Sequence, residues 1–182
     1  MPSINFTYEN RGFLTLMVGP SGAGKTTFCE KYFSDADARL PNGDANPLYL
    51  PNAAGTADLI PYYISPDDIR GRLTGNPADQ TRNEEVFELA HLEVALSLAQ
   101  GHHVIFDATN LREYSRIELV DIADRKYIQY IVLDRPNKKP WHGNMNVVSR
   151  HESLFQSELP RILAGDGFGD VHVIDLRNQF ND

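Results

Sequence analysis

An apolar run, Phe13-Leu-Thr-Leu-Met-Val18, passes without a break into Gly19-Pro-Ser-Gly-Ala-Gly-Lys25-Thr26, and the polar-faced stretch Thr27-Phe-Cys-Glu-Lys-Tyr-Phe33 follows. The run reads as a buried strand and the stretch after it as a helix, so the small residues between them form the turn. Such a turn lets consecutive backbone N–H groups converge on a polyphosphate, and the helix N-terminus adds its partial positive charge. The string satisfies G-x-x-x-x-G-K-[ST], the phosphate-binding P-loop, in the strand-then-helix context that motif requires. Gly19, Ser21, Gly22, Ala23, Gly24, Lys25, Thr26 and Thr27 are therefore the expected nucleotide-binding residues. Lys25 would reach the β- and γ-phosphates, and the Thr26 hydroxyl would ligate Mg²⁺. The alternative is a glycine-rich turn with no ligand, which the whole string and its flanks disfavour. A nucleoside triphosphate, ATP or another, is the expected cofactor, together with Mg²⁺.

Length and charge narrow the possibilities. A chain of 182 residues suits one domain with a single core and leaves no room for an accessory one. Its one cysteine, Cys29, cannot form an internal disulfide, and its longest apolar runs fall far short of a membrane span. The start, Met1-Pro-Ser-Ile-Asn, lacks a basic region followed by an apolar one, so no secretion signal is expected and the cytoplasm is the default compartment. The formal charge of −8 argues against a protein that coats long nucleic acid, which needs many Lys/Arg–phosphate pairs. An enzyme that grips only a strand end remains compatible with it.

Strand and helix signals alternate along the chain. Apolar β-rich runs occupy 13–18, 59–64, 103–107, 127–134 and 171–176, and helical patterns fill 82–100, 112–125 and about 146–164. This order predicts an α/β fold, a P-loop NTPase with a five-stranded parallel sheet flanked by helices on both faces. Residues 34–58 are rich in Pro, Asn, Gly, Asp and Ala without a period, and read as a functional cover or a mobile insertion. A short lid is expected at about 135–145.

The acceptor of a phosphoryl group belongs at the carboxyl rim of such a sheet, where doubly wound proteins bind ligands. Ile64-Ser-Pro-Asp67-Asp68-Ile-Arg70 leaves the second strand there. A kinase needs a carboxylate to position the acceptor hydroxyl and take its proton, and a planar cation to fork onto a phosphate. Asp67 and Arg70 could supply both. The same residues also read as a helix start, with Ser65 as N-cap, Pro66 at the first position and two acids on the dipole. The two readings are compatible. His103-Val-Ile-Phe-Asp107-Ala-Thr109-Asn110 is an apolar strand ending in an acid that can approach Mg²⁺, with Thr109 and Asn110 placed to bind substrate or order the loop. Asp107 as a plain helix cap is the alternative.

Taken together, the P-loop, Ser65-Pro-Asp-Asp-Ile-Arg70, Gly75-Asn-Pro-Ala-Asp-Gln80, the helix with Val86-Phe87 and His91, and Val104-Ile-Phe-Asp-Ala-Thr-Asn110 resemble the polynucleotide 5′-hydroxyl kinases. The likeness is to the kinase module of bacterial and phage end-healing enzymes, and the tail Gly165-Asp-Gly-Phe-Gly-Asp-Val-His-Val-Ile-Asp175 looks like the end of that module. The resemblance implies ATP-dependent transfer of the γ-phosphoryl group to a nucleic-acid hydroxyl, in the first place the 5′-OH of DNA or RNA. It makes Asp67 the general base, Arg70 a ligand of the acceptor's phosphate, and an arginine on the lid a partner of the transferring group.

The lid departs from the family pattern. Arg135-Pro-Asn-Lys-Lys-Pro-Trp-His-Gly-Asn-Met145 is shorter than usual and lacks a clear R-N-x-x-R element. Arg135 is the leading lid cation, with Lys138, Lys139 and Arg150 as further candidates, and Trp141 either stacks on a base or anchors packing. His102 and His103 point to opposite faces of a strand, His91 lies on an apolar helix, and no zinc site is expected. The altered lid and residues 34–58 leave open a kinase of 5-hydroxymethyluracil in phage-type DNA. The acidic charge leaves open a kinase of a nucleotide or other metabolite, and an NTP-hydrolysing switch is the alternative from another class. No membrane contact and no obligate protein partner are expected.

Overall fold

The computed structural model describes residues 12–33, 35, 37–48, 61–123, 128–138, 140 and 142–180. Five strands carry the architecture: β1 (Leu14–Val18), β2 (Tyr62–Ile64), β3 (Val104–Asp107), β4 (Ile128–Val132) and β5 (His172–Asp175). They form one sheet in the order β2-β3-β1-β4-β5, and every pairing is parallel. Leu16 faces Phe106 on one side and Tyr130 on the other, so the strand that delivers the P-loop lies at the centre of the sheet. β1, β3 and β4 are buried at every residue, which is why they read as unbroken apolar runs rather than alternating ones.

Each crossover contains a helix. α1 (Lys25–Phe33), α2 (Pro66–Thr74), α3 (Asn83–Ala99), α4 (Glu113–Ala123) and α5 (Met145–Leu163) alternate with the strands, with α2 and α3 both inserted before β3. α2 ends where Gly75 takes φ 75° and donates its N–H to Gly71 O, a conformation that disfavours any residue with a Cβ. α5 begins at Asn144, whose side chain accepts from the N–H groups of Asn146 and Val147.

The two faces of the sheet are covered differently. On one, Leu14, Leu16, Val18, Phe106 and Tyr130 pack with Val86, Val94, Leu119 and Phe155 from α3, α4 and α5. On the other, Met17, Ile105 and Ile131 meet Phe28, Cys29 and Tyr32 of α1, and the layer is completed by Leu40 and Leu48. The described part of the irregular 34–58 segment thus packs over this face of the sheet. Asn46 ties it down by donating to Tyr32 O and Asp35 O, and Gln129 donates from β4 to Pro47 O at 2.8 Å. Residues 49–60 of that segment lie outside the described residues.

A second buried network joins the opposite side. The Arg116 guanidinium in α4 grips both oxygens of Asp166 at 2.7 and 2.6 Å, and Tyr130 of β4 donates to the same carboxylate at 2.8 Å. Arg116 also donates to the carbonyls of Asn110 and Leu111, immediately after β3. Among the described residues no helix is long and apolar enough to cross a membrane.

Candidate active site

β1, β2 and β3 all end at one rim of the sheet, and their following turns enclose a cleft of about 920 Å³. Its wall includes Ser21, Gly22, Gly24, Lys25, Thr26 and Thr27 from the P-loop, Asp67 and Arg70 from α2, and Asp107 at the end of β3 with Thr109 and Asn110 just after it. Arg135 and Arg150 close the side nearest α5. Ser21 and Arg150, 129 positions apart in the sequence, are thus brought to one cleft by the parallel topology.

Neighbouring strand ends brace the loop. Gly19 N–H donates to Thr109 O at 3.1 Å, and a Cβ at Gly19 would lie 2.1 Å from Leu133 O, too close for any other residue. Arg135 reaches over the loop, donating from Nε to Ala23 O at 3.2 Å. Its guanidinium occupies the space above Gly24, where φ is +89° and an added Cβ would fall 1.7 Å from Arg135 Nη2. Gly24 is required by its backbone conformation, whereas the arginine lying on it is a flexible side-chain end that can shift.

Lys25 is folded back on the loop, its Nζ donating to Gly19 O at 2.9 Å and Pro20 O at 2.8 Å. Burial pulls its pKa below the ordinary lysine value, and Asp107 opposes that pull most strongly. Thr26 Oγ1 donates to Asp107 Oδ2 at 2.7 Å, and Tyr63 OH donates to the same oxygen at 2.5 Å. Burial and Asp107 push the Tyr63 phenol well above its usual value, so it stays a neutral donor. One hydroxyl and one carboxylate form a hard oxygen pair. That donor set fits Mg²⁺, which takes one or two protein ligands and completes its octahedron from phosphate oxygens and water. No group of three or more His, Cys, Asp or Glu that could hold a metal occurs among the described residues.

On the acceptor side Arg70 is 3% exposed and Asp67 46%. The two are ion-paired, and Arg70 donates further to Pro77 O at 3.1 Å and Asn83 Oδ1 at 2.8 Å. The buried arginine therefore anchors a half-exposed carboxylate at the cleft edge, with α3 as the counterweight. Its Nε alone lacks a partner. Asn110, at φ 48°, uses its amide to donate to Met17 O at 2.7 Å, strapping the turn after β3 to β1.

The lid cations separate. Lys138 is held by Asp134 at 2.8 Å and Glu152 at 2.6 Å, whereas Arg135 and Arg150 line the cleft. Lys139 and Trp141 lie outside the described residues. Sequence reasoning missed Tyr63 and His151. Tyr63 stood inside a run read only as strand, and its place two residues before Ser65 was the available signal. His151 of α5 shares a 2.8 Å hydrogen bond with Ser21 Oγ, and burial, Lys25, Arg150 and Arg112 together lower its pKa. Nothing in the sequence connects positions 21 and 151.

A central strand feeding a P-loop, a strand-end carboxylate on the loop's threonine, and the order β2-β3-β1-β4-β5 define a P-loop NTPase domain of the kinase-like fold. A family model described as AAA domain matches residues 14–139, well over half of the chain, and the protein belongs to that family. No curated protein matches it. Among solved structures, one of the Pnkp1/Rnl/Hen1 RNA repair complex superposes with a TM-score of 0.58 at 20% identity, covering 88% of this chain and 49% of that one. A second structure of the Pnkp1/Rnl/Hen1 complex gives 0.49 at 23% identity, covering 72% of this chain and 38% of the other. A gluconokinase from Sinorhizobium meliloti gives 0.40 at 17% identity, with 91% and 83% covered. The chain spans less than half the length of the first two, and the likeness to the one that superposes at 0.58 shows the fold.

Proposed function

We propose that this single domain is an ATP-dependent kinase that transfers the γ-phosphoryl group to a nucleic-acid hydroxyl, the 5′-OH end of DNA or RNA. The observation that carries the reading is one cleft holding the P-loop, the Thr26–Asp107 pair and a carboxylate, Asp67, anchored by Arg70. A hydrolytic switch has no need of an anchored acceptor carboxylate. The S-x-D-x-x-R and D-A-T-N elements narrow the acceptor to a nucleic-acid end by their resemblance to polynucleotide kinases.

In this reading Gly19, Ser21, Gly22, Ala23, Gly24 and Thr27 present the loop to the triphosphate, and Lys25 leaves the loop carbonyls to meet its β- and γ-oxygens. Thr26 and Asp107 would hold Mg²⁺, which would supply neutralisation of charge on those oxygens. Asp67 accepts the proton of the 5′-hydroxyl as its oxygen bonds to the γ-phosphorus. The bond from that phosphorus to the β–γ bridging oxygen breaks, leaving ADP and a 5′-phosphomonoester. Arg70 positions Asp67, Thr109 and Asn110 shape the acceptor edge, and Arg135 with Arg150 on the lid side balances the transferring charge.

The test is transfer from γ-labelled ATP and Mg²⁺ to a 5′-OH oligonucleotide, with the label located by removing the terminal nucleotide. Label lost with that nucleotide supports the reading. Label that stays internal, or is found only on small hydroxyl compounds, overturns it in favour of a modified base or a metabolite. Asp67→Ala is expected to cut transfer by about 100-fold or more while ATP binding persists. Retained turnover removes Asp67 as the base.

A further inference from the structure

Two exposed side chains of the cleft have no task in that scheme. Tyr114, the second residue of α4, is 63% exposed yet lines the same cleft as Asp67. A large ring left open to water inside a cleft is poised for a flat partner, because stacking buries both faces at little entropic cost. Arg112 lies with its guanidinium 6.0 Å from the ring centre, and it makes no hydrogen bond or ion pair with another described side chain. The half-buried Phe87 and His91 of α3 also line this cleft and add aromatic surface to it.

The charge balance points the same way. Arg70 is buried and committed to Asp67, Pro77 and Asn83 through three hydrogen bonds, with only Nε unpaired. An anionic backbone arriving at the acceptor side thus meets Arg112 as the available exposed fork. An aromatic face beside a free guanidinium matches a nucleotide unit, one base and one phosphate, better than a polyol with neither.

We propose that Tyr114 and Arg112 form the acceptor platform: Tyr114 stacks on a base near the 5′ end of a single strand, and Arg112 binds the adjoining phosphate. This rests on the kinase reading above and names the part of the acceptor it grips. The experiment uses the full chain and a 5′-OH oligonucleotide carrying 2-aminopurine at its first position, whose fluorescence falls on stacking.

Wild-type protein is expected to quench the probe, and Tyr114→Ala to abolish the quenching and raise the KM for the oligonucleotide about 10-fold without a matching rise in the KM for ATP. Tyr114→Trp restores both, which a merely structural role for the ring would not produce. Arg112→Gln lowers the salt dependence of binding by about one charge. Transfer that proceeds with unchanged KM and quenching in Tyr114→Ala overturns the platform and leaves the kinase reading standing. Tyr114-dependent quenching without phosphoryl transfer does the reverse, and neither quenching nor transfer overturns both.

Discussion

Arg116→Met is the most demanding test of how this fold supports its site. The wild-type side chain is fully buried, and so is the Asp166 carboxylate it grips. Methionine fills much of the volume but removes both hydrogen bonds to Asp166, at 2.7 and 2.6 Å, the 3.3 Å pair with Glu158, and the donors to Asn110 O and Leu111 O. Asp166 then keeps only the Tyr130 hydroxyl, 2.8 Å away, from this network. Stranding a buried charge in this way costs about 3–5 kcal/mol. For a chain of this size that corresponds to a midpoint about 10 °C lower in thermal unfolding. The assay is urea denaturation followed by circular dichroism, run as a double-mutant cycle with Asp166→Leu. Because removing both partners can approach neutrality, the double variant is expected to recover part of the loss. A loss below about 1 kcal/mol in Arg116→Met, or strict additivity in the cycle, refutes the argument.

Gly24→Ala is expected to lower nucleotide affinity by about 10-fold or more, since φ is +89° and a Cβ there strains the phosphate-binding turn; isothermal titration with ATP checks it, and unchanged affinity would refute the claim that the turn needs glycine. The pH dependence should bear the mark of His103, whose pKa burial lowers from 6.5 to about 4. The unfolded chain binds that proton first, so the contribution is whole above about pH 6.5 and drains away as pH falls through 4. Integrated over that interval it amounts to about 3 kcal/mol. Comparing wild type with His103→Gln by denaturation between pH 7 and 4 tests this, and parallel profiles would sink it.

Much of the fold was legible because its signals are local. The buried runs of β1, β3 and β4 and the loop after β1 declare themselves within a few residues, as does the start of α2 at Ser65-Pro66. The long-range closures were not. Residues 34–58 carry no period, so the packing of Asn46 and Pro47 against Tyr32 and Gln129 depends on partners brought near only by the completed sheet. Arg116 and Asp166 are 50 positions apart. The site divides in the same way: Lys25, Thr26, Asp67 and Asp107 follow from motifs, whereas Tyr63 and His151 are known only from whom they touch. Arg70 shows the intermediate case, a motif residue brought to the expected cleft but buried beneath Asp67 rather than offered to solvent.

The folded-back Lys25 has a kinetic meaning. With its ammonium lodged on Gly19 O and Pro20 O, the lysine acts as a resident counter-ion that braces the loop from within. An incoming triphosphate therefore exchanges one set of partners for another instead of moulding a slack chain. Much of the loop's ordering then belongs to the folding reaction rather than to the encounter.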